Sequence, residues 1–293
     1  MTYLKILIYA LATFLATSTL VFADDDDDDD ELEFEEAYLY FELNDSDGDL
    51  GLHGKVDGDT WKKVKIEGPN GRKILKINVK SGLKRQGMTE LFFESAEPCF
   101  PENEECEDPL APEDFFSRFP EGVYEWEGKT LDGEEIEGEV YLSQRIPAAP
   151  VVSSVGGDND LGDDDCWIPT TEEVVIDWDP VTHTHASLGS DTGALLGDNS
   201  VIYYEFVVEV DETEFKSTAL IPPSLTAWTV PDEFIEFAGS LMVENDEGEL
   251  ELNEEIKFEI IVRVETGDHV DDDGDDIESK PGNQSAVESC FEI

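Results

Sequence analysis

Apolar side chains recur at every second position through most of this chain, the period of a β-strand whose two faces alternate. In the first half, Tyr38, Tyr40 and Leu43 mark AYLYFELN, Val64 and Ile66 mark KKVKIEG, and Ile74, Ile77 and Val79 mark RKILKINVK. Each run is bounded by Gly, Asn, Asp or Pro. GPNG at residues 68–71 predicts a tight turn in which Gly71 takes positive φ, and Asp132-Gly133 predicts a hairpin between EWEG and GEVYL. LFFES and GVYEWEG add further strands, while PEDFFSRF predicts one short helix with Pro112 in its first turn. PAAP at residues 147–150 then separates this series from a second one. The pattern predicts an all-β fold of two tandem antiparallel β-sandwich domains, residues 36–147 and 148–293.

What precedes the first strand speaks to compartment. Residues 1–23 combine one early Lys5, an uncharged apolar run and small residues at Val21-Phe22-Ala23, which reads as a cleavable secretory signal. A secreted or periplasmic protein with no further membrane span is expected after cleavage. Residues 24–35 form an acidic leader that opens on seven consecutive aspartates; like charges keep such a block extended and solvated.

Charge narrows the partners. Asp plus Glu number 73 against 18 Lys plus Arg, a formal net charge of −55 over 293 residues, which excludes a protein that grips nucleic-acid phosphates without regard to sequence. A 39% hydrophobic content in turn excludes a wholly disordered acidic chain. Self-repulsion at this charge predicts a protein suited to a salty or calcium-containing medium. Ten basic residues nevertheless crowd between Lys55 and Arg85 against only Asp57, Asp59 and Glu67. That window either balances acidic neighbours within the fold or receives an anionic partner such as an acidic polysaccharide.

Four cysteines, Cys99, Cys106, Cys166 and Cys290, agree with an oxidising compartment, and none stands in a metal-binding spacing. Cys99 and Cys106 share one short acidic loop, so the expected pairing is Cys99 with Cys106 and Cys166 with Cys290.

Candidate chemistry is sparse. Asp45, Asp47 and Asp49 in NDSDGDLG alternate as the first three calcium ligands of EF-hand and dockerin loops do, although Leu50 stands where such loops carry Gly and no Glu occupies the twelfth position. These three are the candidate calcium site; the only cofactor expected is Ca2+. The aspartates around Asp158, Asp160 and Asp163, and around Asp271, Asp273 and Asp275, are poorer versions. His183 and His185 alternate in DPVTHTH without an evident third ligand, and His53 and His269 stand alone. Asn44-Asp45-Ser46 and Asn283-Gln284-Ser285 fit the glycosylation pattern. No nucleophile elbow or Ser/Cys–His motif is present, and the acids are too many to single out a glycosidase pair.

The second half carries a resemblance. PVVSSVGG, EVVIDWDPVT, VIYYEFVVEV, EFKSTALIPP, LTAWTVPDEFI, IKFEIIVRVET and QSAVESCFEI resemble strands A, B, C, C′, E, F and G of a fibronectin type III domain. EVVIDWDPV is the most specific part, with Val174, Ile176 and Trp178 inward, like the tryptophan-bearing B strand of that family. Phe258 stands where the family carries its corner tyrosine. The resemblance implies that the A–B loop and the end of strand G share one pole, which brings Cys166 to Cys290. More loosely, the first half is similar to the immunoglobulin-like domain that some secreted bacterial proteins pair with a fibronectin-like one. A secreted, non-enzymatic structural or binding protein follows as the expectation, stabilised by calcium, with an extracellular protein or a glycan as partner. The alternative is an accessory protein or subunit of an exported carbohydrate-active enzyme.

Overall fold

The computed structural model describes residues 32–101, 106, 109–158, 166–198, 200–211, 213–244, 250–265, 269–270, 276–277 and 282–293. The signal segment, the aspartate block and the loops bearing Asp160, Asp163, Asp271, Asp273 and Asp275 lie outside the described residues. The first half holds β1 (Leu32–Glu33), β2 (Glu36–Asn44), β3 (Asp49–Glu67), β4 (Lys73–Asn78), β5 (Met88–Glu94), β6 (Gly122–Thr130) and β7 (Glu135–Leu142), with helix α1 (Pro112–Arg118) before β6. The second half holds β8 (Val151–Val155), β9 (Val175–Asp179), β10 (Val201–Glu209), β11 (Lys216–Ile221), β12 (Ala227–Thr229), helix α2 (Asp232–Ala238), β13 (Met242–Glu244), β14 (Leu250–Leu252), β15 (Glu255–Val264), β16 (His269–Val270), β17 (Asp276–Ile277) and β18 (Gln284–Glu292). The fold is all-β, and both turns read from the sequence form: Gly71 has φ 70° and Gly133 φ 102°.

In the second half, a three-stranded sheet β12-β9-β8 faces the run β18-β15-β10-β11, which is the strand order that the fibronectin type III resemblance implies. Trp178 stacks on Phe206 (6.2 Å), Phe206 on Phe258 (6.1 Å), and Phe258 meets Phe291 (6.3 Å), so one aromatic ladder crosses the core from sheet to sheet. Phe258, fully buried, contributes only packing at this position. A tyrosine hydroxyl works on the neighbouring strand, where Tyr204 accepts from the Val181 amide at 3.0 Å.

The first half is organised by β3, whose 19 residues serve two sets of partners. Its start pairs with β2 and β5, and its end with β4 and β6. Register shifts between Asp57 and Trp61, and again before Lys63, bend the strand and return Trp61, Val64 and Ile66 to the core. Tyr124 donates to the Pro120 carbonyl at 2.9 Å, a tyrosine-corner arrangement. Strand β2 departs from its sequence reading. Leu39, Phe41 and Leu43 belong to the core cluster and Tyr38 packs partly buried against it, whereas Tyr40 stands outside it, beneath Arg263. Both faces of this strand are covered, so alternation of apolar residues could not tell them apart.

The halves keep separate clusters of buried side chains, but they share a sheet. Strand β18 pairs in parallel with β2, Gln284 opposite Glu42, Ser285 opposite Leu43 and Ala286 opposite Asn44, and eleven strands become continuous through this contact. Residues 31–293 form one compact unit.

Cys99 is joined to Cys106, and Cys166 to Cys290. The second bridge sits where Trp167 exchanges backbone hydrogen bonds with β18, donating to the Cys290 carbonyl and accepting from the Glu292 amide.

Candidate binding site at the sheet junction

The junction is built around one asparagine. Asn283 lies just before β18 and is 1% exposed. Its Oδ1 accepts from the Phe41 amide at 2.8 Å, and its Nδ2 donates to the carbonyls of Ser143 (2.8 Å) and Arg145 (3.0 Å). Ser285 adds a hydroxyl donated to the Pro147 carbonyl at 2.7 Å. The motif Asn283-Gln284-Ser285 is therefore a structural lock and not a glycan acceptor, because its amide is buried and fully engaged.

The aspartate turn packs against the same strand. Asn44 caps the turn, its Oδ1 accepting from the Ser46 and Asp47 amides, and its Nδ2 donating to Asp47 and to Glu288 Oε1 (2.8 Å). Gly48, at φ 68°, makes the reversal. Ser46 clips the turn to β18, its hydroxyl donating to the Glu288 carbonyl and accepting from the Glu288 amide. The three aspartates diverge. Asp45 faces His185, whose Nε2 lies 3.2 Å from Asp45 Oδ1. Asp47 is held by Asn44. Asp49 opens β3 half-buried, its carboxyl pushed up to about 7 by burial and then by the charges of Glu97, Asp47, Glu288 and Glu42. Among the described residues, Asp45, Asp47 and Asp49 do not gather their ligand atoms within 4.8 Å of one another, whereas His53, Glu94 and Glu97 do.

The two histidines of DPVTHTH have different partners. His183 Nδ1 lies 2.9 Å from Thr182 Oγ1. His185 Nδ1 accepts from the amides of Ser187 (3.2 Å) and Leu188 (3.0 Å), so the proton of its neutral ring sits on Nε2 and points at Asp45. This places one tautomer at the meeting of the two halves.

Beside that pair runs a groove of two connected lobes. One, about 490 Å3, is lined by Asp45, Phe100, Pro101, Glu113, His185 and Leu188 among others; the second, about 450 Å3, continues past Phe116, Pro120, Glu121 and Gln144. Pro112, Glu113, Ser187 and Leu188 line both lobes. Residues of both halves thus form one elongated depression with apolar walls and an acidic rim.

On the other face of the sheet, a row of rings crosses the junction. His53 stacks on Tyr40 (5.1 Å between centroids) and approaches Phe92 (5.8 Å), while the Arg263 guanidinium lies 4.2 Å above Tyr40 and 5.8 Å from Tyr203. Arg263 donates to Gln284, and Gln284 donates to Glu42. His53, isolated in the sequence, is therefore part of a cluster that only strand pairing assembles.

Part of the basic window is paired within the fold. Lys55 meets Glu36 and Glu90, Lys65 meets Glu67 and Glu127, and Lys73 meets Glu67. These bridges are balance within the fold.

Neither a family model nor a curated protein sequence matches this chain. Solved structures that it resembles include one of a 1.5-MDa bacterial ice-binding adhesin (12% identity, 89% of this chain, 65% of that one, TM-score 0.22). Others are a two-domain fibronectin type III segment of chicken tenascin (8%, 89%, 99%, 0.23) and the FN1–FN3 domains of chicken CNTN1 (11%, 88%, 65%, 0.21). The chain spans less than two thirds of the adhesin and CNTN1 structures, and at such scores its fold stands on its own strand order. No helix among the described residues is long and apolar enough to cross a membrane.

Proposed function

We propose that this chain is a secreted, non-enzymatic binding scaffold of the cell surface or extracellular medium, whose two sandwiches act as one body and whose ligand, a glycan or an extracellular protein, lies in the junction groove. The continuous β2–β18 seam carries the reading. It holds Asp45 and Glu113 of one half against His185 and Leu188 of the other, so a groove made by both halves keeps its shape without a ligand. Two disulfides support an oxidising compartment. The residues whose hydrogen bonds are most demanding, Asn283 and Ser285, are consumed in the lock, and His185 is held in one tautomer by two amides, an arrangement that suits recognition better than proton transfer.

Calcium at Asp45, Asp47 and Asp49 belongs to the same reading. An ion there would have to draw Asp45 away from His185, and the Asp49 carboxyl, raised first by burial and then by neighbouring carboxylates, would be returned to its charged form by a cation. The test is an array of glycans and extracellular matrix proteins probed with residues 24–293 and with Glu113→Lys, an exposed position common to both lobes of the groove. Binding by the first and at least tenfold weaker binding by the variant is expected. Equal binding by both would place the ligand elsewhere, and binding by neither would end the scaffold reading.

A further inference from the structure

We infer that His53, Glu94 and Glu97, with Glu42 beside the imidazole, form a zinc site on the outer face of the sheet, independent of the junction groove. The donor atoms of the first three lie within 4.8 Å of one another. His53 Nε2 is 3.3 Å from Glu97 Oε1 and 3.5 Å from Glu42 Oε2. Those separations are longer than the usual 2.9–3.0 Å of an N–H···O hydrogen bond. They match the edge of a tetrahedron whose centre binds its ligands at about 2.0–2.1 Å, which is roughly 3.4 Å.

The site is prepared by its surroundings. His53 is 6% exposed and flanked by the rings of Tyr40 and Phe92, which fix its plane and leave the Nε2 edge toward the carboxylates. Glu94 is its direct cross-strand partner on β5. Glu97 reaches the imidazole by lying over Gly51, where a Cβ would stand 2.2 Å from Glu97 Oε1; the glycine is the floor of the site. Gln284 donates to Glu42 Oε2, the oxygen that also lies 3.5 Å from His53 Nε2, and so fixes that carboxylate beside the ring. One imidazole and two carboxylates, with a fourth position left open, suit zinc, whereas calcium takes six to eight oxygens and gains little from a ring nitrogen. Zinc would also tie the segment leading to Cys99 onto β2 and β3.

Titration calorimetry on the chelator-stripped full chain tests this with zinc chloride, alone and with excess calcium chloride, at constant ionic strength. One tight equivalent of zinc is expected, indifferent to calcium, with a Kd at least tenfold weaker in Glu97→Gln and in Gly51→Ala and unchanged in His183→Ala. Near-UV circular dichroism checks that each variant is folded. Should Gly51→Ala fail to fold, Glu94→Gln, an exposed position, replaces it. Absence of a one-equivalent site, displacement of zinc by calcium, equal affinity in Glu97→Gln, or loss in His183→Ala would each overturn the assignment.

Discussion

The two ends of the eleven-stranded sheet handle charge in opposite ways. At the β4-β3-β6-β7 end, Lys65 stands between Glu67 (2.7 Å) and Glu127 (2.5 Å), Lys73 also reaches Glu67 (2.8 Å), and Lys129 meets Glu135 (2.6 Å). Hydrogen bonds from Lys65 and Lys73 draw the Glu67 carboxyl down to about 2, and Lys129 lowers Glu135. At the β18-β15-β10 end, Glu288 lies directly across from Glu259, with Glu205 and Glu209 on the next strand. Burial, then the charges of Glu42, Glu288, Glu205 and Glu209, push Glu259 up to about 8, and Glu288 is raised chiefly by burial and Asp47. The nearest lysine on that face, Lys257, is engaged by Asp211 at 2.7 Å. A net charge of −55 is therefore not spread evenly: lysines concentrate where acids can be paired, and the strand that joins the halves carries the acids left over.

That contrast can be broken most forcefully by freeing β18. Replacing Cys166 and Cys290 with serine removes a bridge across 124 residues and should cost about 4–5 kcal/mol, against about 2 kcal/mol for the seven-residue Cys99–Cys106 loop, both read by denaturant unfolding. The difference should shrink in high salt, where repulsion along β18 is screened. Asn283→Ala comes next, at about 2–4 kcal/mol, because it strands the Phe41 amide and leaves the Ser143 and Arg145 carbonyls without this donor. It should lower the melting temperature without altering either disulfide.

Titration separates the two ends by sign. Glu259 is raised in the folded state, so the fold holds more protons than the unfolded chain between about pH 4.5 and pH 8, and stability falls as pH rises through that window. Glu67 and Glu135 are lowered, so their contribution is present above about pH 4.5 and is lost as pH falls toward 2. Glu259→Gln should stabilise the protein at pH 8 by about 1–2 kcal/mol after screening and flatten the decline; an unchanged slope would mean the acidic end is already neutralised. The smallest effect is expected at the paired end, where Lys129→Ala should move the melting temperature by about 1 °C, since an exposed ion pair contributes little.

Period-two patterning and turn residues made the strands legible, and the order of the second sandwich was implied by the fibronectin type III resemblance that Val174, Ile176 and Trp178 carry most specifically. Local features were recoverable because their partners are near in sequence, as with Gly133, Pro112 and the Cys99–Cys106 loop. The junction was not, for a physical reason. Phe41 and Asn283 are 242 residues apart, and parallel pairing of β2 with β18 leaves no turn between them to read. A separation of 140 residues hid Asp45 from His185, while His53 met Glu97 only because Gly51 left room for it. The side on which Tyr40 falls was likewise undecidable, since Arg263, more than 200 residues later, covers Tyr40.

The claim on which the rest depends is that the two sandwiches are one body, and native-state hydrogen exchange tests it most directly. The amides of Phe41 and Asp45 both donate across the seam, to Asn283 Oδ1 and to the Ala286 carbonyl. They should exchange only with global unfolding, as slowly as the central amides of β15. If instead they exchange as fast as the amide of Gly71 in its exposed turn while β15 stays protected, the seam opens freely and the two halves move as separate domains.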